Sequence, residues 1–516
     1  MAGDQQASGN LTGLYEAEEA TPGVLPPQPA WHEREPNSYS DFGGSFAMTT
    51  RKPIRRDRQY AKGEVSDNNP TSGYTEDLTP LNMRRKMQGF LFANAREKPS
   101  TRPMNGNSVA ISAVDAGTKQ YRAAAGLDRF KVGHILLPVG FFAATNNQVN
   151  VVSAVAAGAL TMVNALVNDA APAATAHLEA VGFQYAAGAV SLTLPTGRAL
   201  LTMPAGVTTH GLTPGEWIAV VGFNKAGPVA MPFYGRVSSF TDTTIELDKT
   251  TGNLVADDGT GDTVALYFGT VVRNEDDPTL IVRRSYTHER QYGQGAQASS
   301  EGVQGAEANQ LTLTVPTPGA DAKVTVEISH IARTSFERDV GEGLLTAASG
   351  TITAALNEPC FKPGLDVYQH KLAVIDELTL NPTPLVAFSS EASVVVNNNL
   401  AGNKAIETFG NAGINVGEFS VTGSISAYWT SVAATRKVRQ GADCTWHLIL
   451  TRASVNKAVI FDIASLGLGN GRSTVEANTP IKLPLDTAAG KGKFGYTLLV
   501  SFLRYVPSLL MSQQSA

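Results

Sequence analysis

Charge is scarce in this chain. Asp, Glu, Lys and Arg make up 17% of its 516 residues, against about 25% in an average soluble domain. A surface so poor in charge suits a protein that buries much of itself against copies of itself. Cysteine is nearly absent. Cys360 and Cys444 stand in unrelated contexts without CxxC spacing, which argues for two free thiols in a reducing cytoplasm and against a disulfide scaffold. No run of about 18 apolar residues occurs, so no membrane-spanning helix is expected. Met1 to Gly23 carries Asp4, Glu16, Glu18 and Glu19 and lacks the basic start and apolar run of a secretory signal. A net charge of −5 gives no electrostatic footing for wrapping nucleic acid.

The marks of catalysis are missing too. The histidines are His32, His134, His177, His210, His288, His330, His370 and His447, and none forms an HExxH or a His/Cys set at metal-ligand spacing. No GxSxG elbow, P-loop or GxGxxG at a strand–helix junction appears. Gly467 to Arg472 is glycine-rich, but no helix opens behind it to hold an anion, so it reads as a tight turn. Asp257, Asp258 and Asp262 around Gly259 lack the alternating oxygens and final Glu of a calcium loop and read as turn carboxylates. No catalytic, metal-binding or cofactor-binding residue is expected, and the chain is not read as an enzyme.

What is present is β. The 49 glycines and 27 prolines, with abundant Thr, Ser and Val, predict many short strands joined by tight turns. The length predicts two or three domains. From Val421 to Trp429 the odd positions Val421, Gly423, Ile425, Ala427 and Trp429 alternate with Thr422, Ser424 and Ser426, the two-residue period of a strand. Leu311, Leu313 and Val315 repeat it, and Val324, Val326 and Ile328 repeat it again after a turn, which predicts a hairpin. Cys444 to Leu450, Ala458 to Ile463 and Tyr496 to Val506 supply further strands. Five prolines (Pro22, Pro26, Pro27, Pro29 and Pro36) predict a loose, extended arm over residues 1–48. Thr79 and Pro80 open a helix whose apolar side is Leu81, Met83, Met87, Phe90 and Leu91. Two basic clusters, Arg51 to Arg58 and Arg84 to Lys86, lack the aromatic interleaving of a single-strand binder and fit salt bridges between subunits.

One stretch repeats itself. Val132 to Phe141 reads VGHILLPVGF and Pro214 to Phe223 reads PGEWIAVVGF. Each is followed by a Val-Ser pair (Val152-Ser153 and Val237-Ser238) and then by a strand, Ala159 to Val163 and Thr244 to Leu247. Two small related β-barrel modules are therefore expected at about 129–205 and 206–272.

Several segments resemble phage tail tube proteins. They are RRSYTHERQYG from Arg283, EGVQGAEANQLTLTVP from Glu301, Asn397-Asn398-Asn399 after a strand, GEFSVTG from Gly417 and GYTLL from Gly495, with the Arg51 to Tyr60 and Pro80 regions upstream. In order and spacing they are similar to the siphophage-type tail tube family from about residue 50 onward. The resemblance implies a mostly β fold: a tail-tube β-sandwich with a flanking helix over 49–128 and 273–516, interrupted by an insertion of one or two small β-barrel modules over 129–272. It implies a structural virion protein that is assembled in the host cytoplasm into hexameric rings. The rings stack head to tail into the tube through which DNA passes during ejection, without specific binding. Tape-measure protein, tail terminator and tail-tip initiator are the implied partners. Arg283, Arg284, Tyr286, Glu289, Asn397, Asn398, Asn399, Gly417, Glu418, Gly423 and Tyr496 are the motif positions expected to serve assembly. Two other readings stay open, a capsid or head-decoration β-protein and a carbohydrate-binding β-protein with Trp217, Phe223, Phe233 and Tyr234 on its surface. A long insertion adds little loop entropy, so a short linker is expected to replace it.

Overall fold

The computed structural model describes residues 9–224, 232–293, 298–347 and 350–512. The chain is mostly β, 46% strand and 7% helix, and divides into two compact units. The first comprises Met1–Phe92, Ile281–Cys360 and Glu391–Ile425; the second comprises Ala93–Leu280, Phe361–Ser390 and Ser426–Ala516.

The spine of the first unit is the strand Ser299–Val315. Its first half pairs with Tyr286–Tyr292 and Thr334–Arg338, and its second half with Thr325–Ile331 and Ser389–Asn397. The hairpin expected from the alternation is there, with Leu311 opposite Ile328 and Leu313 opposite Val326. Thr325–Ile331 passes the pairing on to Gly63–Asp77, which pairs along its length with Pro36–Thr50. The N-terminal region differs from the loose arm expected. Thr12–Glu18 is a central strand, paired on one side with Ala30–Arg34 and on the other with Tyr286–Tyr292. The prolines permit this by position: Pro22, Pro26, Pro27 and Pro29 lie in the connection between two strands, and Pro36 is the first residue of the next. Residues 1–8 of that arm lie outside the described residues. The expected helix is also shorter. Thr79 does cap a turn, accepting a bond from the Asn82 amide at 3.4 Å, but the α-helix is only the buried turn Lys86–Phe90.

The second unit contains the repeat. Twelve strands among the described residues, from Ile111–Asp115 to Ala265–Tyr267, form one sheet. Six belong to each copy, and in both copies the neighbour order is first, second, fifth, fourth, third, sixth. The two sixth strands, His177–Gln184 and Ala265–Tyr267, pair antiparallel and join the halves. A single helical turn precedes the third strand in both copies, Leu127–Arg129 and Val207–His210. The repeated Val-Gly-Phe ends that strand each time. Gly140 and Gly222 take φ of 84° and 125°, and a Cβ on Gly222 would lie 2.2 Å from the Thr263 carbonyl oxygen, so glycine is required there. Phe141 and Phe223 then turn into a shared apolar core. The repeat therefore begins earlier than expected, at Ile111, and makes one continuous sheet where two separate modules were expected.

The unit's other strands come from the C-terminal region. Cys444–Arg452 pairs with Lys457–Asn470, which pairs with Leu499–Leu503. Trp217, Ala219 and Tyr234 of the second copy share a core with Ile449, Ile460, Leu503, Val506 and Leu510. At its edge Asp462, fully buried, accepts Trp217 Nε1 at 2.8 Å, Tyr496 Oη at 2.6 Å and Arg236 Nη1 at 3.3 Å. Arg236 also forks onto Asp248, both bonds 2.9 Å. Burial works against an ionised Asp248, yet Arg236 and Lys493 hold its carboxyl down to about 2. The repeated region is thus packed onto the C-terminal strands rather than hung from them. Removing it would uncover an apolar face and a buried carboxylate, which argues against simple replacement by a linker.

Taking Asp462 away leaves Arg236 paired with Asp248 but strips buried Trp217 Nε1 of its acceptor, and an orphaned buried donor costs about 1–3 kcal/mol. Asp462→Ala is expected to destabilise the second unit by about 1–3 kcal/mol, read as a lower urea midpoint of tryptophan fluorescence. An unchanged midpoint would remove Asp462 from this role.

Candidate functional site

The most exposed ordered feature of the first unit is its longest hairpin. Pro36–Thr50 and Gly63–Asp77 run antiparallel from Pro36 opposite Glu76 to Thr50 opposite Gly63. The root is buried through Ser72, Tyr74 and Glu76. The outer half, from Ser45 to Thr50 and from Gly63 to Ser66, has side chains exposed or half-exposed on both faces. Phe46, Met48 and Val65 are exposed on it, and Ile54 and Tyr60 on the connection at its tip. That connection carries Arg51, Lys52, Arg55, Arg56, Arg58 and Lys62 against one acid, Asp57. It was expected to resemble an opening strand, but it is the turn between two. Phe46 stacks on Phe409 at 6.1 Å, and Ile406 beside it is bare, so the apolar patch extends beyond the hairpin. An isolated two-stranded ribbon is marginal in water, and a contiguous exposed apolar patch marks an interaction surface.

A buried polar cluster fixes the root. Lys86 pairs with Glu16, and His288 Nε2 lies 2.9 Å from the same Glu16 Oε2. His288 Nδ1 meets Ser72 Oγ at 2.8 Å and His330 Nδ1 meets the Ser72 carbonyl at 3.1 Å. Arg34 forks onto Glu76 at 2.9 and 2.6 Å. The Lys86 ammonium sits 5.3 Å from the Tyr74 ring centre and 5.5 Å from that of Tyr286, within cation–π range. Glu16, His288 and His330 offer ligand atoms within 4.8 Å of one another, a donor set suited to zinc. Lys86 stands on Glu16 where a metal would sit, so a lysine fills the arrangement, with burial pulling its pKa well below the ordinary lysine value. Burial, and then Lys86, hold both imidazoles well below their ordinary range. The sequence carried one signal for this cluster: the row Val324, Val326, Ile328 reaches His330 two residues on.

The structure buries five of the eleven motif positions (Arg284, Tyr286, Glu289, Asn398 and Tyr496) and leaves Arg283, Asn399, Gly417 and Glu418 exposed. Arg284 is buried and pairs with Glu18 at 3.2 Å. Tyr286 is buried against Lys86, and buried Glu289 accepts the Leu345 amide at 2.8 Å. Asn398 is buried, and its amide donates to the carbonyls of Phe90 and Ala308 at 3.0 and 2.8 Å. Asn397 Oδ1 accepts the Asn399 amide at 2.8 Å, and Asn399 Nδ2 donates to the Glu418 carbonyl at 2.7 Å. Gly417 packs so close that a Cβ would lie 2.4 Å from the Asn399 carbonyl oxygen. The asparagine triplet and Gly417-Glu418 therefore make one clasp between two loops. Gly423 lies in the strand Ser420–Tyr428, and Tyr496 belongs to the Asp462 cluster of the second unit. Arg283, paired with Glu307 at 2.6 Å, stays partly exposed, as do Asn399 and Glu418.

Other expectations resolve similarly. Trp217, Phe223, Phe233 and Tyr234 are all buried, so they present no aromatic platform to a sugar. Gly467 to Asn470 continues a strand where a turn was expected, and the chain turns only at Gly471. Buried Asp257 serves a local turn, its Oδ1 accepting the Gly259 amide at 2.8 Å, and Asp262 Oδ1 accepts Asn224 Nδ2 at 2.8 Å. Cys360 and Cys444 are free. Among the described residues no helix is long and apolar enough to cross a membrane.

A two-stranded ribbon with an exposed apolar outer half marks a surface for another chain, and with the β-rich fold it defines a structural protein that joins other chains. The family model described as phage tail tube protein matches residues 9–489, and the chain belongs to that family. It is accordingly a structural protein of the phage tail, part of the virion, that self-assembles into a tube. No curated protein was found to match it.

A histidine whose folded pKa is depressed stabilises the fold above its unfolded value and loses that contribution as pH falls. For His288 and His330 the loss begins near pH 6.5, the unfolded value, and runs at up to about 1.4 kcal/mol per pH unit for each proton taken up. The urea midpoint is expected to fall between pH 7 and pH 5, and more shallowly in His330→Gln. Equal slopes in the two proteins would contradict the burial argument.

Proposed function

We propose that this protein forms hexameric rings that stack head to tail into the phage tail tube, through which the genome passes during ejection without specific binding. The observation that carries the reading is the Pro36–Thr50/Gly63–Asp77 hairpin, whose outer half exposes Phe46, Met48 and Val65. A patch that differs from the surface it docks on makes a heterologous contact, and such contacts propagate into a ring or a filament. The tip cations suit carboxylates of the next copy, since each copy carries a net charge of −5. Arg283, Asn399 and Glu418, the motif residues left exposed, are assigned to contacts between copies. Tape-measure protein, tail terminator and tail-tip initiator complete the assembly, which takes place in the host cytoplasm; the free thiols agree with that compartment.

Electron microscopy of the purified protein tests this directly, with rings and tubes expected; closed shells would favour a capsid role instead. The triple variant Phe46→Ser, Met48→Ser, Val65→Ser is expected to keep its circular dichroism spectrum, because the three side chains are already exposed. It should sediment as monomer or isolated rings. Tubes of undiminished length from this variant would sink the assignment of the hairpin.

A further inference from the structure

A second concave site, in the second unit, carries unused positive charge. It is a cavity of about 510 Å³ lined by Trp429, Val432, Thr435, Arg436, Arg439 and Arg472, with Gly471 and Ser473 at its edge. Arg436 and Arg439 come from the helix Ala433–Arg439, three residues apart and so on one face. Arg472 comes from the turn that ends the strand Lys457–Asn470. No carboxylate lines the cavity. All three arginines are exposed. The Thr435 Oγ1 atom in the same wall is buried and has no hydrogen-bond partner among the described residues.

Three guanidiniums, two hydroxyls and an indole converging on one hollow have a specific chemical preference. Guanidinium forks match the oxygens of a phosphate, and an indole face stacks on the planar ring of a base. The volume lies in the range of small-ligand sites, about 300–1,000 Å³. We propose that this cavity binds a nucleotide, its phosphate held by Arg436, Arg439 and Arg472 and its base against Trp429. A carboxylate from another copy would satisfy the charge but would leave the indole without a partner. A duplex keeps its bases stacked inside and offers the site phosphates only, so the site favours single strands and free nucleotides. It is therefore compatible with passage of double-stranded DNA without specific binding.

The protein supplies its own probe. Trp31, Trp217 and Trp446 are buried, so Trp429 is the tryptophan that a solute quenches from outside. Titrating the full-length protein at low salt with deoxyadenosine monophosphate should give saturable quenching. Deoxyadenosine without its phosphate should give at least tenfold weaker quenching, and inorganic phosphate should compete only at higher concentration. Arg436→Ala with Arg472→Ala should weaken the nucleotide by roughly tenfold or more, the loss of a charge-assisted hydrogen bond. Both residues are exposed, so the fold should survive, as an unchanged circular dichroism spectrum would verify. Trp429→Phe, followed by calorimetry, should retain binding that Trp429→Ala loses. The proposal falls if the nucleoside quenches as well as the nucleotide, or if phosphate alone binds equally tightly. It falls too if the arginine variant binds unchanged. If that variant instead fails to assemble while the parent shows no nucleotide binding, the ligand is a carboxylate of another copy and the nucleotide assignment is wrong.

Discussion

A carboxylate with no water around it has to be met by donors, and Asp462 is met by three. Trp217 and Arg236 stand opposite each other on paired strands of the second copy, and Tyr496 comes from the C-terminal region, so the cluster ties the two together. Arg236 must then answer a second acid, Asp248, whose remaining oxygen demand Lys493 helps to fill. Each added partner lowers the desolvation cost of the rest, and a half-built version would be worse than an apolar core. The cluster therefore acts as a register device for the second unit: sheet and C-terminal strands fit in one alignment only.

That constraint explains why a duplicated sheet remains asymmetric in detail. Both copies keep the same strand order and the same Val-Gly-Phe corner, because those features serve the core that the halves share. The outward-facing residues of the third strand are free to diverge. His134 and Ile135 stand where the second copy has Glu216 and Trp217, so the apolar contact with the C-terminal strands runs through Trp217, while the first copy meets Arg504 beyond them through Glu179. Glu216, in turn, is buried against Lys98 at 2.8 Å. Duplication supplied a sheet with closed pairing at its centre. Specialisation of one half supplied the joint.

The sequence showed the β class, the Leu311–Ile331 hairpin and the repeat because each rests on local information: two-residue alternation, or a corner that only glycine can turn. It concealed what depends on partners remote in the chain. The prolines of the first 36 residues suggested an arm, since nothing local reveals that Tyr286–Tyr292 waits to pair with Thr12–Glu18. The Lys86 cluster left only the placement of His330 in its strand to read, its members lying at positions 16, 86, 288 and 330. Family motifs pointed to the right protein class. Some of their residues are internal braces, because a clasp such as Asn398 over Gly417 tolerates little change whether or not it touches a neighbour.

The hairpin turns these braces into function. A ribbon of two strands has few contacts with which to hold a direction, so its aim is set at the root. There Ser72 is gripped by two histidines, Tyr74 is stacked beside His330, and Glu76 is locked by Arg34. Such a root loses little entropy when the tip docks, since its side chains are already fixed before contact. The apolar outer half then contributes burial, and the tip cations contribute steering that weakens with salt. Salt should accordingly slow the joining of copies more than it loosens tubes already formed, because burial of Phe46, Met48 and Val65 does not depend on screening.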